Sequence, residues 1–364
     1  MPYRILSMDG SSISGGEGYV TAGLLGSLRQ TLTSRGHHQP LLNSVDLFAG
    51  SSAGAFNAAF LAAEADPDAA LSKIIDFWGQ VVSMNKKGVS GGRFLLALAG
   101  ASSILDSNYM RDFFCDYFGS TLRLGDLKHK VAIASYQLDG QRKGMRTWKA
   151  KIFHNTSPQN DADMDELVVD VLMRSGSPPL SYPIYQGLRQ KGSGYVDGGL
   201  FANNPSLVGL AQAINILGLK NKNSTLETMD SEQPDLTDIL LFSVGNGQMS
   251  SYVAPTFHHG VANWGFAKWL LDAHNPMLLI KMLLEAGGEA VHFQCRMILR
   301  KEYFRLNPLV DKRLSASNLN QVESVLQTLL GSQSTMAQLE RTLKWVSRSG
   351  WLGDTTPRPS PEGA

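Results

Sequence analysis

The 364-residue chain is 43% hydrophobic and 18% charged, the proportions of a well-cored globular protein and not of a disordered or fibrous one. Its formal net charge of +1 supplies no field that would draw it to nucleic acid or to an anionic surface. The only two cysteines, Cys115 and Cys295, lie far apart and form no Cys-x-x-Cys pair, which excludes a disulfide framework and a structural zinc site and makes a reducing compartment the expectation.

Residues Met1 to Ser7 open as a short strand, without the basic start and apolar core of a signal peptide. No run of about 18 apolar residues follows, so no segment is expected to span a bilayer. The expectation is a cytoplasmic protein, with transient contact with a membrane or micelle surface left open. The first third then alternates: a strand over Tyr3–Met8, a glycine-rich loop, a helix over about Thr21–Ser34, a strand over Val45–Ala49, a tight turn and a helix over Ala53–Ala63. Short apolar strands alternating with helices predict a parallel sheet covered on both faces.

The segment 79–108 is different in character. It holds Lys86, Lys87, several glycines and the apolar run from Phe94 to Ala99. It reads as a buried helix or, alternatively, as a lid over an apolar site. Strands are predicted at Lys130–Tyr136, Thr147–Phe153 and Ile239–Val244. Leu167, Val168, Val171 and Leu172 recur at helical spacing and predict a helix over Glu166–Arg174. The polar stretch Lys220–Pro234 predicts a surface loop, and helices are predicted around Asn263–Glu285 and Leu319–Leu330. No repeat and no strong linker interrupts residues 1–350, so one domain is expected. The proline-rich tail 353–364 is expected to be disordered.

Chemistry enters at Gly50-Ser51-Ser52-Ala53-Gly54, a G-x-S-x-G sequence between an apolar strand and an alanine-rich helix. A serine on such a sharp turn is pushed out of the sheet into a cleft, and the helix behind it aims free N–H groups and a positive dipole end at the same place. Ser51, in a variable position of the motif, is the neighbour to check. A serine hydroxyl needs a base at neutral pH. An α/β-hydrolase would supply a histidine, but in that fold several strands precede the nucleophile and here only one does. His258 and His259 remain the tempting histidine pair; paired loop histidines are more often solvated. A second route is an aspartate acting directly. Asp197 in Tyr195-Val196-Asp197-Gly198-Gly199-Leu200 suits it, because the small residues after it allow a close approach. The same Asp-Gly dipeptide also reads as a type I′ hairpin turn. Gly10 and Gly15 have the outer spacing of a P-loop, but Gly16 and Glu17 stand where Lys and Ser or Thr belong, and an acid there repels phosphate, so no nucleotide partner is expected.

Taken together, these motifs resemble the patatin-like phospholipases. The likeness rests on Ile5-Leu6-Ser7-Met8-Asp9-Gly10, the turn at Ser52, Arg174-Ser175-Gly176-Ser177-Pro178-Pro179, Asp197-Gly198-Gly199, Ala202-Asn203-Asn204-Pro205, and Phe242-Ser243-Val244-Gly245-Asn246-Gly247. It runs from about residue 3 to residue 310. The resemblance implies a three-layer α/β fold, a central mostly parallel sheet with helices on both faces, and a Ser–Asp dyad of Ser52 and Asp197. It implies a lipid acyl hydrolase of the phospholipase A, lysophospholipase or esterase type, acting on lipid or fatty-acyl esters through an acyl-enzyme, with no metal and no cofactor. One element departs from the family. Its glycine-rich loop, D-G-G-G-x-R-G, is here Asp9-Gly10-Ser11-Ser12-Ile13-Ser14-Gly15-Gly16-Glu17-Gly18, and neither alignment of the two keeps the arginine. Gly10, Gly15 and Gly16 are the expected oxyanion-hole elements. The same departure motivates the competing expectation of a catalytically weak or inactive lipid-binding or partner-binding protein on this fold.

Overall fold

In a computed structural model, the structure describes residues 1–11, 17–88, 96, 102–142, 144–156, 162–189, 192–222, 236–249, 252–270, 278–310 and 316–353. The expectations for Gly15 and Gly16, for Phe94, Leu95 and Leu98, for most of the 220–234 loop and for the 354–364 tail fall outside these residues.

Strand β1 (Tyr3–Met8) lies in the middle of a seven-stranded sheet, with β2 (Leu47–Ser51) on one side and β6 (Ile239–Val244) on the other, both parallel to it. Beyond β2 comes β3 (Val131–Arg142), parallel as well, and beyond β6 comes β8 (Tyr303–Leu306), parallel again. Among the described residues the sheet turns antiparallel only at β3, which pairs with β4 (Met145–His154) and with the short β5 (Tyr195–Asp197). A separate two-stranded ladder joins β7 (Gln248–Met249) to β9 (Leu309–Val310). The mostly parallel sheet expected from the strand–helix alternation is therefore present.

Alternation along the strands feeds two cores. Leu6, Met8, Phe48, Ile133 and Phe242 face one layer. It is built from α1 (Gly18–Ser34), α2 (Ala53–Ala63), the single turn α3 (Pro67–Ala70), α4 (Ile74–Lys87), α5 (Asn108–Phe118) and α6 (Val168–Ser175). Ile5, Leu47, Ala49, Ala132 and Leu241 face the other layer. That side is covered by α8 (Ser206–Lys222), which follows the single turn α7 (Gly199–Ala202), and by α10 (Leu278–Leu299), which follows the short α9 (Phe266–Leu270). Such strands, buried on both faces, read as near-continuous apolar runs. The last two helices, α11 (Leu319–Leu330) and α12 (Gln333–Arg348), return to the first layer, where Val322, Leu326 and Leu343 join its core. Asn318 and Ser332 cap them, their side chains accepting from the backbone N–H of Gln321 and Thr335.

Several expected bounds shift. Helix α1 begins three residues before Thr21, at Gly18, where a Cβ would lie 2.2 Å from the Trp78 ring. The helix expected over Asn263–Glu285 is present as α9 and α10, and α10 runs on to Leu299. Within 79–108 the described part is the end of α4, the residues from 102 onward and Leu96; α4 packs its buried face on α1 and α11. No helix of the described residues is long and apolar enough to cross a membrane.

Candidate active site

Strand β2 carries the chain through Gly50 and Ser51 straight into Ser52, and α2 starts at Ala53. Ser52 has φ 51° and ψ −122°, a region that side chains avoid and that costs roughly 1–3 kcal/mol when a non-glycine residue is held there. Both glycines of the motif are demanded by packing. A Cβ on Gly50 would lie 2.5 Å from Gly54 O, and one on Gly54 would lie 2.0 Å from Met8 O, so the first turn of α2 presses on the ends of β1 and β2. Ser51 points the other way. It is fully buried, and its hydroxyl has no hydrogen-bond partner among the described residues.

Asp197 ends β5, opposite Ser135 of β3. The chain then enters α7 with Gly198 at φ −67°, not the positive φ of a type I′ turn, so the hairpin reading of Asp197-Gly198 does not hold. Gly198 is small for a different reason: a Cβ there would lie 2.2 Å from Ala134 O. This places the carboxylate against the serine. Ser52 Oγ donates to Asp197 Oδ2 at 2.7 Å, and the Gly199 N–H donates to Oδ1 at 2.7 Å. Asp197 is only 5% exposed. Burial pushes its carboxyl up to about 6, with the hydrogen bonds from Ser52 and Gly199 pulling in the opposite direction.

Ser175, at the end of α6, ties the two halves together. Its hydroxyl accepts from the Ser52 N–H at 2.9 Å and donates to Ala134 O at 2.7 Å. Its carbonyl accepts from the Gly198 N–H, and the Asp197 N–H donates to Ser177 O. The small-residue stretch from Ser175 to Ser177 is thus a clasp between the serine turn and the aspartate strand. In the sequence the only signal for Ser175 is the run of small residues before two prolines.

Ser52 and Asp197 open onto a cavity of about 240 Å³. Phe56, Trp78, Val81 and Met110 form one wall, Gly176, Pro178, Pro179 and Leu180 a second, and Ile280, Leu283 and Leu284 of α10 a third. Trp78 is fixed by donating from Nε1 to Asn57 Oδ1 at 2.7 Å, while Asn57 Nδ2 donates to Gly18 O. Among the described residues no histidine lines this cavity. His258 and His259 are exposed and form a separate turn, where the N–H of His258 donates to Val261 O. Among the described residues no group of three or more His, Cys, Asp or Glu could hold a metal ion.

The profile of the patatin-like phospholipase family matches residues 12–208, more than half of the chain. The protein belongs to this family. It is 26% identical to the Teg protein of Priestia megaterium over 318 residues, covering 85% of this chain and 88% of the relative. It is 24% identical to a cGAMP-activated phospholipase of Pseudomonas aeruginosa, covering 92% and 85%, and 24% identical to patatin-like protein 2 of Arabidopsis thaliana, covering 83% and 74%. Membership supports lipid acyl hydrolase activity. Of the patatin-like glycine-rich loop, Asp9, Gly10, Ser11, Glu17 and Gly18 are described. Gly10 fits against Ser52, where a Cβ would lie 3.2 Å from Ser52 Cβ and 2.4 Å from Asn203 Oδ1. Its N–H is engaged by Asn203 O at 2.8 Å, and its carbonyl accepts from Asn246 Nδ2 at 2.8 Å. Ser11 lines the cavity. Just upstream, Asp9 makes a two-pronged ion pair with Arg305 of β8, at 2.6 and 3.1 Å, and Arg305 also donates to Ser243 Oγ. Nothing in the sequence singled out Arg305, because it follows no motif and lies about 300 residues from its partner.

Proposed function

We propose that this patatin-like protein cleaves carboxylic ester bonds of lipids or fatty-acyl esters with Ser52 as nucleophile and Asp197 as its only side-chain base. The observation that carries this reading is the 2.7 Å bond from Ser52 Oγ to a buried Asp197, in a cavity lined by no histidine among the described residues. A carboxyl pushed up to about 6 is a better match to neutral pH than an ordinary aspartate, while staying ionised there.

The geometry supports the following reaction. Asp197 takes the Ser52 proton as Oγ attacks the ester carbonyl, and the alkoxide of the tetrahedral species collapses to release the alcohol or lysolipid, which receives that proton. Asp197 then takes a proton from water, which cleaves the acyl-enzyme and returns Ser52. The developing oxyanion faces the amino end of α2, whose first N–H groups have no intrahelical acceptor and whose dipole favours negative charge. Gly10 supports this arrangement by its close fit, its own N–H being engaged with Asn203; Gly15 and Gly16 stay in the proposal as further loop donors. The apolar walls from Phe56 to Met110 and from α10 take the acyl chain.

The test is hydrolysis of a short chromogenic ester and of a phospholipid panel by wild type, Ser52→Ala and Asp197→Asn, with fluorophosphonate labelling mapped by mass spectrometry. Label on Ser52 and near-complete loss in both variants is the expected result. Substantial activity in folded Asp197→Asn, or a single His→Gln change as severe as Ser52→Ala, would overturn the dyad.

A further inference from the structure

The wall of the cavity supplied by α10 lies outside the 12–208 stretch that matches the family profile. That helix is also unusual at its outer surface. Leu279, Met282, Leu283, Phe293 and Met297 recur at three- and four-residue steps and their multiples, and all are exposed, with Leu283 at 64% and Phe293 at 61%. Ala286 and Ala290 fill the gap between them and are exposed too. Helix α9 packs beside α10 and adds Phe266, exposed at 72%. In the same stretch Trp264 and Trp269 stand edge to face, 5.2 Å apart. A row of this length is not the scattering of single apolar residues found on any protein surface.

From these observations we propose that the outer face of α9 and α10 docks onto a phospholipid bilayer, inserting Phe266, Met282 and Leu283, the last of which also borders the Ser52 cavity. Leu283 decides between occupants, because it belongs both to the exposed row and to the cavity wall. A second protein seated there would close the cavity mouth, whereas a bilayer delivers substrate through it. Residues 252–300 carry four Lys or Arg against three Asp or Glu, so little net charge opposes or drives the approach and the binding is apolar insertion into a zwitterionic surface. Tryptophan and tyrosine are side chains that settle at the level of lipid headgroups. The proposal rests on the hydrolase reading for its substrate but not for its measurement, which is made on the inactive protein.

The experiment is sedimentation of full-length Ser52→Ala protein with pure phosphatidylcholine vesicles, with and without 1 M NaCl. The expected result is co-sedimentation that survives salt, weakened about tenfold or more by Phe266→Glu with Met282→Glu, since each lost apolar insertion is a large fraction of the binding. In the Ser52 background, the same two substitutions should leave hydrolysis of a soluble butyrate ester at the wild-type rate, which shows that the fold is kept. No co-sedimentation, or no weakening in the double variant, overturns the proposal. So does a wild-type dimer in gel filtration that the double variant converts to monomer, which would make a second copy the occupant. Failure of ester hydrolysis with vesicle binding intact would instead count against the dyad.

Discussion

Asp197 accepts from Ser52 through one carboxylate oxygen and from the Gly199 N–H through the other, each at 2.7 Å, while burial holds its carboxyl up near 6. In the proposed dyad Asp197 must be ionised to take the Ser52 proton, so kcat/KM on a soluble ester should rise tenfold per pH unit below about 6 and level off above it. A rate that is flat from pH 5 to pH 8 would remove Asp197 from the role of base.

The same shift predicts a stability effect of opposite sense. An unfolded aspartate titrates near 3.8, and this one near 6 in the folded protein, so the folded state holds the proton more tightly. Stability from the neutral carboxyl is complete below pH 3.8 and is lost as pH rises through 6, up to about 3 kcal/mol at 1.36 kcal/mol per unit. Asp197→Asn, neutral at every pH, should therefore melt at or above the wild-type temperature at pH 8 while being nearly inactive, and the gap should narrow toward pH 4. A Tm clearly below wild type at pH 8 would show that the ionised carboxylate stabilises the fold.

Ser52 sits at φ 51°, and the strain there is relieved by glycine but not by alanine. Both Ser52→Ala and Ser52→Gly should lose at least about a thousandfold in activity. Ser52→Gly should nevertheless be the more stable of the two, by about 1 kcal/mol after allowing for the greater freedom of glycine in the unfolded chain. Equal denaturation midpoints would mean that the turn relaxes in the absence of the hydroxyl.

How much of this was legible in the sequence depends on how local the cause was. Tyr3–Met8, Ile239–Val244, Ala53–Ala63 and Leu319–Leu330 have the bounds their patterns predicted, because an apolar run or a helical period decides each by itself. Strand β8 was not anticipated. It has four residues, lies at the sheet edge and carries Arg305, so only its pairing with β6 makes it a strand. Strand β2 runs two residues beyond the expected Ala49, to Ser51, because its ladder with β1 and β3 continues to the serine turn. At the site, Ser52 and Asp197 could be named from motifs. Their contact spans 145 positions and the bond from Ser52 N–H to Ser175 spans 123, and the cavity wall from α10 comes from still later in the chain; no spacing rule reaches that far.

Two glycines near Ser52, Gly54 and Gly10, should respond differently to alanine. At Gly54 the new Cβ meets backbone, Met8 O at 2.0 Å and Asp9 O at 2.7 Å, which can yield only by moving α2 off β1. Gly54→Ala should cost about 3 kcal/mol or more, at the upper end of overpacking. At Gly10 the tightest contact is Asn203 Oδ1 at 2.4 Å, the end of a side chain that can rotate. Gly10→Ala should fold with a loss of about 1 kcal/mol and yet lose activity, because Asn203 would be displaced within the cavity wall. Urea denaturation of the two variants, alongside ester turnover, checks the order; it is contradicted if Gly10→Ala is the less stable.

Asp9 and Arg305 face each other almost without solvent, with side-chain exposures of 6% and 8%. Burial pushes the Asp9 carboxyl up while the guanidinium opposes that shift. Removing one member of such a pair leaves a buried charge without compensation, and roughly 3–5 kcal/mol is the usual loss. Arg305→Met should fall in that range, whereas Asp9→Asn with Arg305→Met should recover much of it, since two neutral groups carry no uncompensated charge. Because Asp9 also leads directly into Gly10, whose carbonyl and N–H are held by Asn246 and Asn203, the single change should loosen the loop beside Ser52. The expected signature is a fall in kcat with little change in KM for a soluble ester, restored in part by the double variant. A double-mutant cycle measured by urea denaturation and by kinetics tests both parts. Strict additivity in stability would show that the pair contributes no coupling, and an unchanged kcat in Arg305→Met would show that the loop is held by its backbone contacts alone.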